Sequence, residues 1–206
     1  MPAPKQFPVI AILALLASGD AWADPRAVAA LGLQLPLPGA TFDDVREIKL
    51  ADGQRLVCDS DADKPKLVNP SLLELQSARG PTRVRRCSVF QPGGGDVWVP
   101  GMVPSLAGPA RLWLTFVEQG IGGRFRLAQF SLWAKRDNGW DKVAKSMEAI
   151  MGASTAGTDR FLTWQDDQHE TMMFIDEKYP DEFAVAIGDL RLRRLLKSPG
   201  TSSRPE

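Results

Sequence analysis

The stretch RLWLTFVE at residues 111–118, with QGIGG at 119–123 and FRLAQFSLWAK at 125–135, decides the fold class. Leu112, Leu114 and Phe116 alternate with Trp113 and Val117, so both faces of the first segment are apolar. A strand of that kind lies inside a sheet or beneath a covering element. The glycines between the two segments supply a hairpin loop, which pairs them antiparallel.

Downstream, Asp137-Asn138-Gly139 marks a turn, and Trp140, Val143, Met147, Ile150 and Met151 recur at helical spacing up to Gly152. Three strands are predicted after this helix, over 160–165, 170–176 and 182–194. A turn at Tyr179-Pro180-Asp181 separates the last pair, and Gly188-Asp189 reads as a bulge beyond which Leu190 and Leu192 return to the inward face. Upstream, Asp24-Pro25 opens a short helix that ends before Gly32, and Thr41-Phe42-Asp43-Asp44 has the hydroxyl and carboxylate of a capped helix start. Residues 54–58 and 83–90 read as strands, 59–69 as a polar loop, and Asn69-Pro70 as the start of a brief helix stopped by Gly80. Four prolines and five glycines over 91–109 make an irregular connection.

Helix, strands, helix, strands is the order of an α+β fold: antiparallel sheet, one or more, with helices packed on one face, in two helix-then-strands units. The reading places one domain over 24–197, undivided or in two sub-lobes (24–109 and 110–197), and a disordered tail over 198–206. With capped openings such as Gly39-Ala40-Thr41-Phe42-Asp43-Asp44-Val45, this layout resembles the helix-plus-meander units of the small outer-membrane-assembly lipoproteins and of the secreted β-lactamase inhibitor proteins. The resemblance implies partner binding rather than catalysis. The lipidated cysteine of the first family has no counterpart, so membrane attachment is not implied.

Residues 1–23 read as a cleaved export signal. Lys5 precedes an apolar run over 9–17, and Ala21-Trp22-Ala23 offers a small-x-small cleavage site before Asp24. The run falls far short of the ~20 apolar residues of a membrane-spanning helix, so no span is expected after processing. A periplasmic or secreted location follows. In an oxidising compartment the two cysteines, Cys58 and Cys87, are expected to form a disulfide, and no C-x-x-C motif offers a redox role. Without Lys5 and Asp20 the acidic and basic side chains balance, as they do over the whole chain, which argues against a nucleic-acid partner.

Four sets of residues carry candidate chemistry. Asp59, Asp61 and Asp63 alternate as in calcium loops, but Lys64 and Pro70 stand where glycine and a bidentate glutamate are needed. His169 is the sole histidine and lies among carboxylates in a predicted turn, where it could join a hard-metal site or act as a general base. Ser105 lacks the preceding glycine of a nucleophile elbow, and neither glycine run has the Lys-Ser/Thr of a phosphate loop. Arg83, Arg85 and Arg86, and again Arg191, Arg193 and Arg194, form basic clusters on predicted strands that would suit an envelope protein or another anionic surface. No cofactor is implied. The leading expectation is an inhibitor, immunity or assembly-type binding protein of the cell envelope; the alternatives are an envelope hydrolase using carboxylates or His169, and a calcium- or ligand-binding module.

Overall fold

The computed structural model describes residues 25–74, 83–120, 122–137 and 139–197. The predicted export signal, the C-terminal tail, Leu75 and Gly80 lie outside the described residues.

Two short helices come first among the described residues. In α1 (Pro25–Ala30), Ala27, Val28 and Ala30 are buried. Thr41 caps α2 (Phe42–Arg46) in the predicted reciprocal box: its Oγ1 accepts the Asp44 amide at 3.3 Å, and Asp44 Oδ2 accepts the Thr41 amide at 2.9 Å. The helix stops after five residues, yet Ile48 still packs against the main core. Strand β1 (Arg55–Cys58) then leads to a 3₁₀ turn at Pro70–Leu73, where Asn69 accepts the Ser71 amide. The strands β2 (Val84–Pro92), β3 (Trp98–Pro100), β4 (Ala110–Glu118) and β5 (Phe125–Lys135) follow. Next come α3 (Gly139–Met151), β6 (Ala156–Thr158), β7 (Phe161–Gln165), β8 (His169–Phe174), β9 (Glu182–Asp189) and α4 (Leu190–Lys197).

Among the described residues nine strands join one antiparallel sheet in the order β1-β2-β4-β5-β9-β8-β7-β6, with β3 paired to β2. Two four-strand meanders therefore abut through their last strands, β5 and β9, and each follows its own helical segment. The three-residue strands β3 and β6 carry no alternation long enough to read from sequence. Between the Thr115 and Phe116 pairings the register skips Ala128, a bulge that puts Leu127 on the same face as Phe130 and Leu132.

One sheet face packs against α1, α2 and α3 and holds the main core, including Leu112, Leu114, Phe116, Phe130, Phe183, Ile187, Val143 and Met147. Burying each large side chain contributes roughly 1.5–3 kcal/mol. Ser146 in the middle of α3 donates to the Ala30 carbonyl at 3.0 Å, and Trp164 Nε1 donates to the Gly152 carbonyl just past its C-terminal end at 2.9 Å, tying the helix to the rest of the fold. Ile150, expected in the buried stripe of α3, is 40% exposed. Cys58 and Cys87 form the disulfide across directly opposed positions of β1 and β2.

The C-terminal segment departs from expectation. β9 ends at Asp189, and residues 190–197 form a helix on the opposite sheet face, where Leu192 meets Val117 and Ala128. Helices therefore cover both faces. Asp189 causes the switch: its Oδ1 accepts the Arg191 and Leu192 amides at 2.8 and 3.1 Å, the bonds of a helix N-cap. Leu192, Leu195 and Leu196 then fall at helical spacing on the sheet. Among the described residues no helix is long and apolar enough to cross a membrane.

Candidate functional site

Strand alternation divides the first arginine cluster. Arg85 lies opposite Phe116 on the helix-bearing face, whereas Arg86 lies opposite Thr115 on the other, with its guanidinium 4.5 Å from the Trp113 ring centroid. Burial lowers the pKa of Arg86 below the usual arginine value, and nearby Asp59 offsets part of that.

At the open end of the helix-bearing face, the start of β2, the end of β4, the β4–β5 loop and α2 enclose a cleft of about 320 Å³. Arg83, Arg85, Arg124, Phe42, Phe125 and Glu118 give it its character. Cations and rings alternate along it. Arg46 lies 5.0 Å from the Phe42 centroid, Arg85 lies 4.9 Å from Phe42 and 3.9 Å from Phe125, and Arg83 lies 5.7 Å from Phe125. Phe42 is anchored edge-on to the buried Phe116 at 5.1 Å. Each cation–ring contact contributes about 0.5–1 kcal/mol where exposed and more where water is excluded.

Carboxylates neutralise the two ends of this ladder. Arg46 pairs with Asp61 at 2.6 Å, and Arg83 pairs with the buried Glu118 at 3.3 Å. Among the described residues neither Arg85 in the middle nor exposed Arg124 on the hairpin loop has an ion pair. Sequence reasoning missed Arg124, Phe42 and Phe125 as site residues. Phe42 reads as one more apolar position of a helix, and Arg124 stands beside a glycine run, away from both arginine clusters; only the tertiary structure places it in the same cleft as Arg85.

The second arginine cluster is built into α4. Arg193 pairs with Glu170, and its side chain fills the space over Gly188, where an added Cβ would lie 2.5 Å from Arg193 Cδ. Burial lowers its pKa as well. Arg191 lies 3.4 Å from the capping carboxylate of Asp189, and Arg194 is exposed with interactions of its own.

The aspartates of the 59–63 loop point to three different partners. Asp61 accepts the Cys58 amide at 2.9 Å as well as Arg46, and Asp63 accepts Arg55 at 2.7 Å. Asp59 leaves a buried Oδ1 without a partner among the described residues. Burial raises its pKa above the usual carboxylate value, although the Arg86 and Ser60 amides and the charges of Lys64 and Arg85 oppose the shift. No group of three or more His, Cys, Asp and Glu among the described residues is arranged to hold a metal ion.

His169 Nδ1 lies 3.1 Å from Asp166 Oδ2, while Asp166 Oδ1 accepts the Gln168 and His169 amides at 2.7 Å each. This closes the β7–β8 turn. Nε2 of His169 is buried and unpartnered among the described residues, so it faces no open cleft. Burial opposes ionisation of Asp166, but those amides and the imidazole outweigh it and hold the carboxyl below its usual range.

No family model matches this chain, and neither does any characterised protein or solved structure at the significance required. The geometry of the arginine cleft is therefore the ground for a functional reading.

Proposed function

We propose that this protein is an exported recognition module that binds an anionic group of another cell-envelope macromolecule through the Arg85 cleft. One observation carries the reading: Arg85 is held by two phenylalanine rings in a cleft, in no ion pair among the described residues, while its neighbours in the ladder are neutralised. A cation fixed in this way is organised for an external anion, because little side-chain freedom remains to be lost on binding. The disulfide and the signal-like first 23 residues support export.

A photo-crosslinking side chain at Asp43, on the cleft rim, tests the reading when the protein is expressed in its exporting cell, with the same probe at Tyr179 as the far-side control. A covalent adduct is expected from position 43 and not from 179. It should be lost in Arg85→Glu and kept in His169→Ala, all variants melting like the parent. An adduct that survives Arg85→Glu, or none from position 43, would overturn the proposal.

A further inference from the structure

The charge balance of the cleft narrows what it can accept. Its lining includes three cations, Arg83, Arg85 and Arg124, and two carboxylates, Asp43 and Glu118, a surplus of one positive charge within the lining, while the Asp59 carboxylate, which feels the charge of Arg85, lies outside it. A monoanion balances that surplus. A phosphate carrying nearly two charges would leave negative charge uncompensated beside two carboxylates, and like charges at close range disfavour binding.

The shape of the donor agrees. The Arg85 guanidinium lies against the Phe42 and Phe125 rings, 4.9 and 3.9 Å from their centroids. A planar fork of donors matches a planar carboxylate with two parallel hydrogen bonds. The same cleft already holds one arginine–carboxylate pair, Arg83 with Glu118, through a single contact of 3.3 Å. Its phenylalanine walls suit the methylene groups that carry a side-chain carboxylate.

We infer that the cleft receives one carboxylate of a protein partner, an aspartate or glutamate side chain, at the Arg85 and Arg124 guanidinium groups. The inference rests on the recognition reading above and adds to it the chemistry of the bound group.

The test follows the arginine Nε–H signals of the disulfide-bonded protein by NMR. The probes are acetyl-Phe-Glu-amide, acetyl-Phe-Gln-amide, acetyl-Phe-phosphoserine-amide and glucuronate, each titrated at constant ionic strength. The glutamate peptide should shift the Arg85 and Arg124 signals saturably, and the glutamine peptide should bind at least about tenfold more weakly, the loss expected for hydrogen bonds to a charged group. The phosphoserine peptide and glucuronate should also bind more weakly than the glutamate peptide. Arg85→Lys keeps the charge and loses the fork, and should weaken the glutamate peptide several-fold with an otherwise unchanged spectrum. If that variant unfolds, Arg124→Gln at the exposed loop position carries the same expectation. Tighter binding of phosphoserine or glucuronate would overturn the protein-carboxylate assignment while leaving an anion site for the crosslinking experiment to judge. Equal responses to the glutamate and glutamine peptides, or no response to either, would overturn the inference outright.

Discussion

Reduction of the Cys58–Cys87 bridge is the perturbation whose size follows most directly from the structure. The bridge joins positions 29 residues apart in sequence. On the chain-entropy account, opening a loop of that length returns about 12 cal/mol/K to the denatured ensemble, which is about 3.6 kcal/mol at 25 °C. For a domain of this size each kcal/mol moves the melting temperature by about 2–4 °C, so the reduced protein should melt about 7–14 °C lower. Comparing oxidised and reduced parent protein, rather than Cys→Ala variants, keeps burial of both sulfur atoms nearly constant. Calorimetry with and without a phosphine reductant measures the shift. The effect should also reach the cleft, because the Cys58 amide is held by Asp61, Asp61 holds Arg46, and Arg46 packs on Phe42. The Arg85 Nε–H signal should therefore move on reduction. A melting shift under about 2 °C would refute the reasoning, since it would mean that the bridge does not restrain the denatured chain. An unmoved Arg85 signal would refute the coupling alone.

Other substitutions probe the remaining parts of the fold. Gly188→Ala places a Cβ 2.5 Å from Arg193 Cδ and 3.1 Å from the Ala128 carbonyl, so Arg193 must leave Glu170; a loss of about 2 kcal/mol or more in denaturant unfolding is expected, and less from the same change in an Arg193→Ala background. Asp59 titrates above its unfolded value because it is buried, so its ionised form costs stability at neutral pH and the cost fades as pH falls through the folded value. Asp59→Asn should accordingly stabilise by up to about 1 kcal/mol at neutral pH and by less in acid. Asp166 has the opposite sign: its lowered folded pKa contributes stability above the unfolded value of about 3.9, lost as pH falls through the folded one, so Asp166→Asn should destabilise by under about 1 kcal/mol at neutral pH and match the parent in strong acid. His169→Ala should lower the melting temperature slightly, through loss of its contact with Asp166, and leave partner capture intact.

The fold class was legible because it rests on local signals. Alternation over 111–118 and 125–135, the helical spacing after Gly139 and the cap at Thr41 each act within a few residues, and each reappears in the structure as an element close to the expected one. Both cysteines and their state were equally readable, because only one pairing was available and the expected compartment favoured it. Where local signals compete, sequence alone misled. Residues 182–194 alternate well enough for a single strand, yet Asp189 can also cap a helix, and the open apolar face beside Val117 and Ala128 lets the helix win. The candidate site lay further out of reach. Whether an arginine is an ion-pair partner like Arg193 or packs between rings in a cleft like Arg85 depends on which carboxylates and rings the tertiary structure brings beside it. Strand parity sends Arg85 and Arg86 to opposite faces, and a hairpin loop returns Arg124 to the first. Such contacts join residues tens of positions apart, so local patterns specify the elements, while the pairing of distant charges is decided only when the sheet closes.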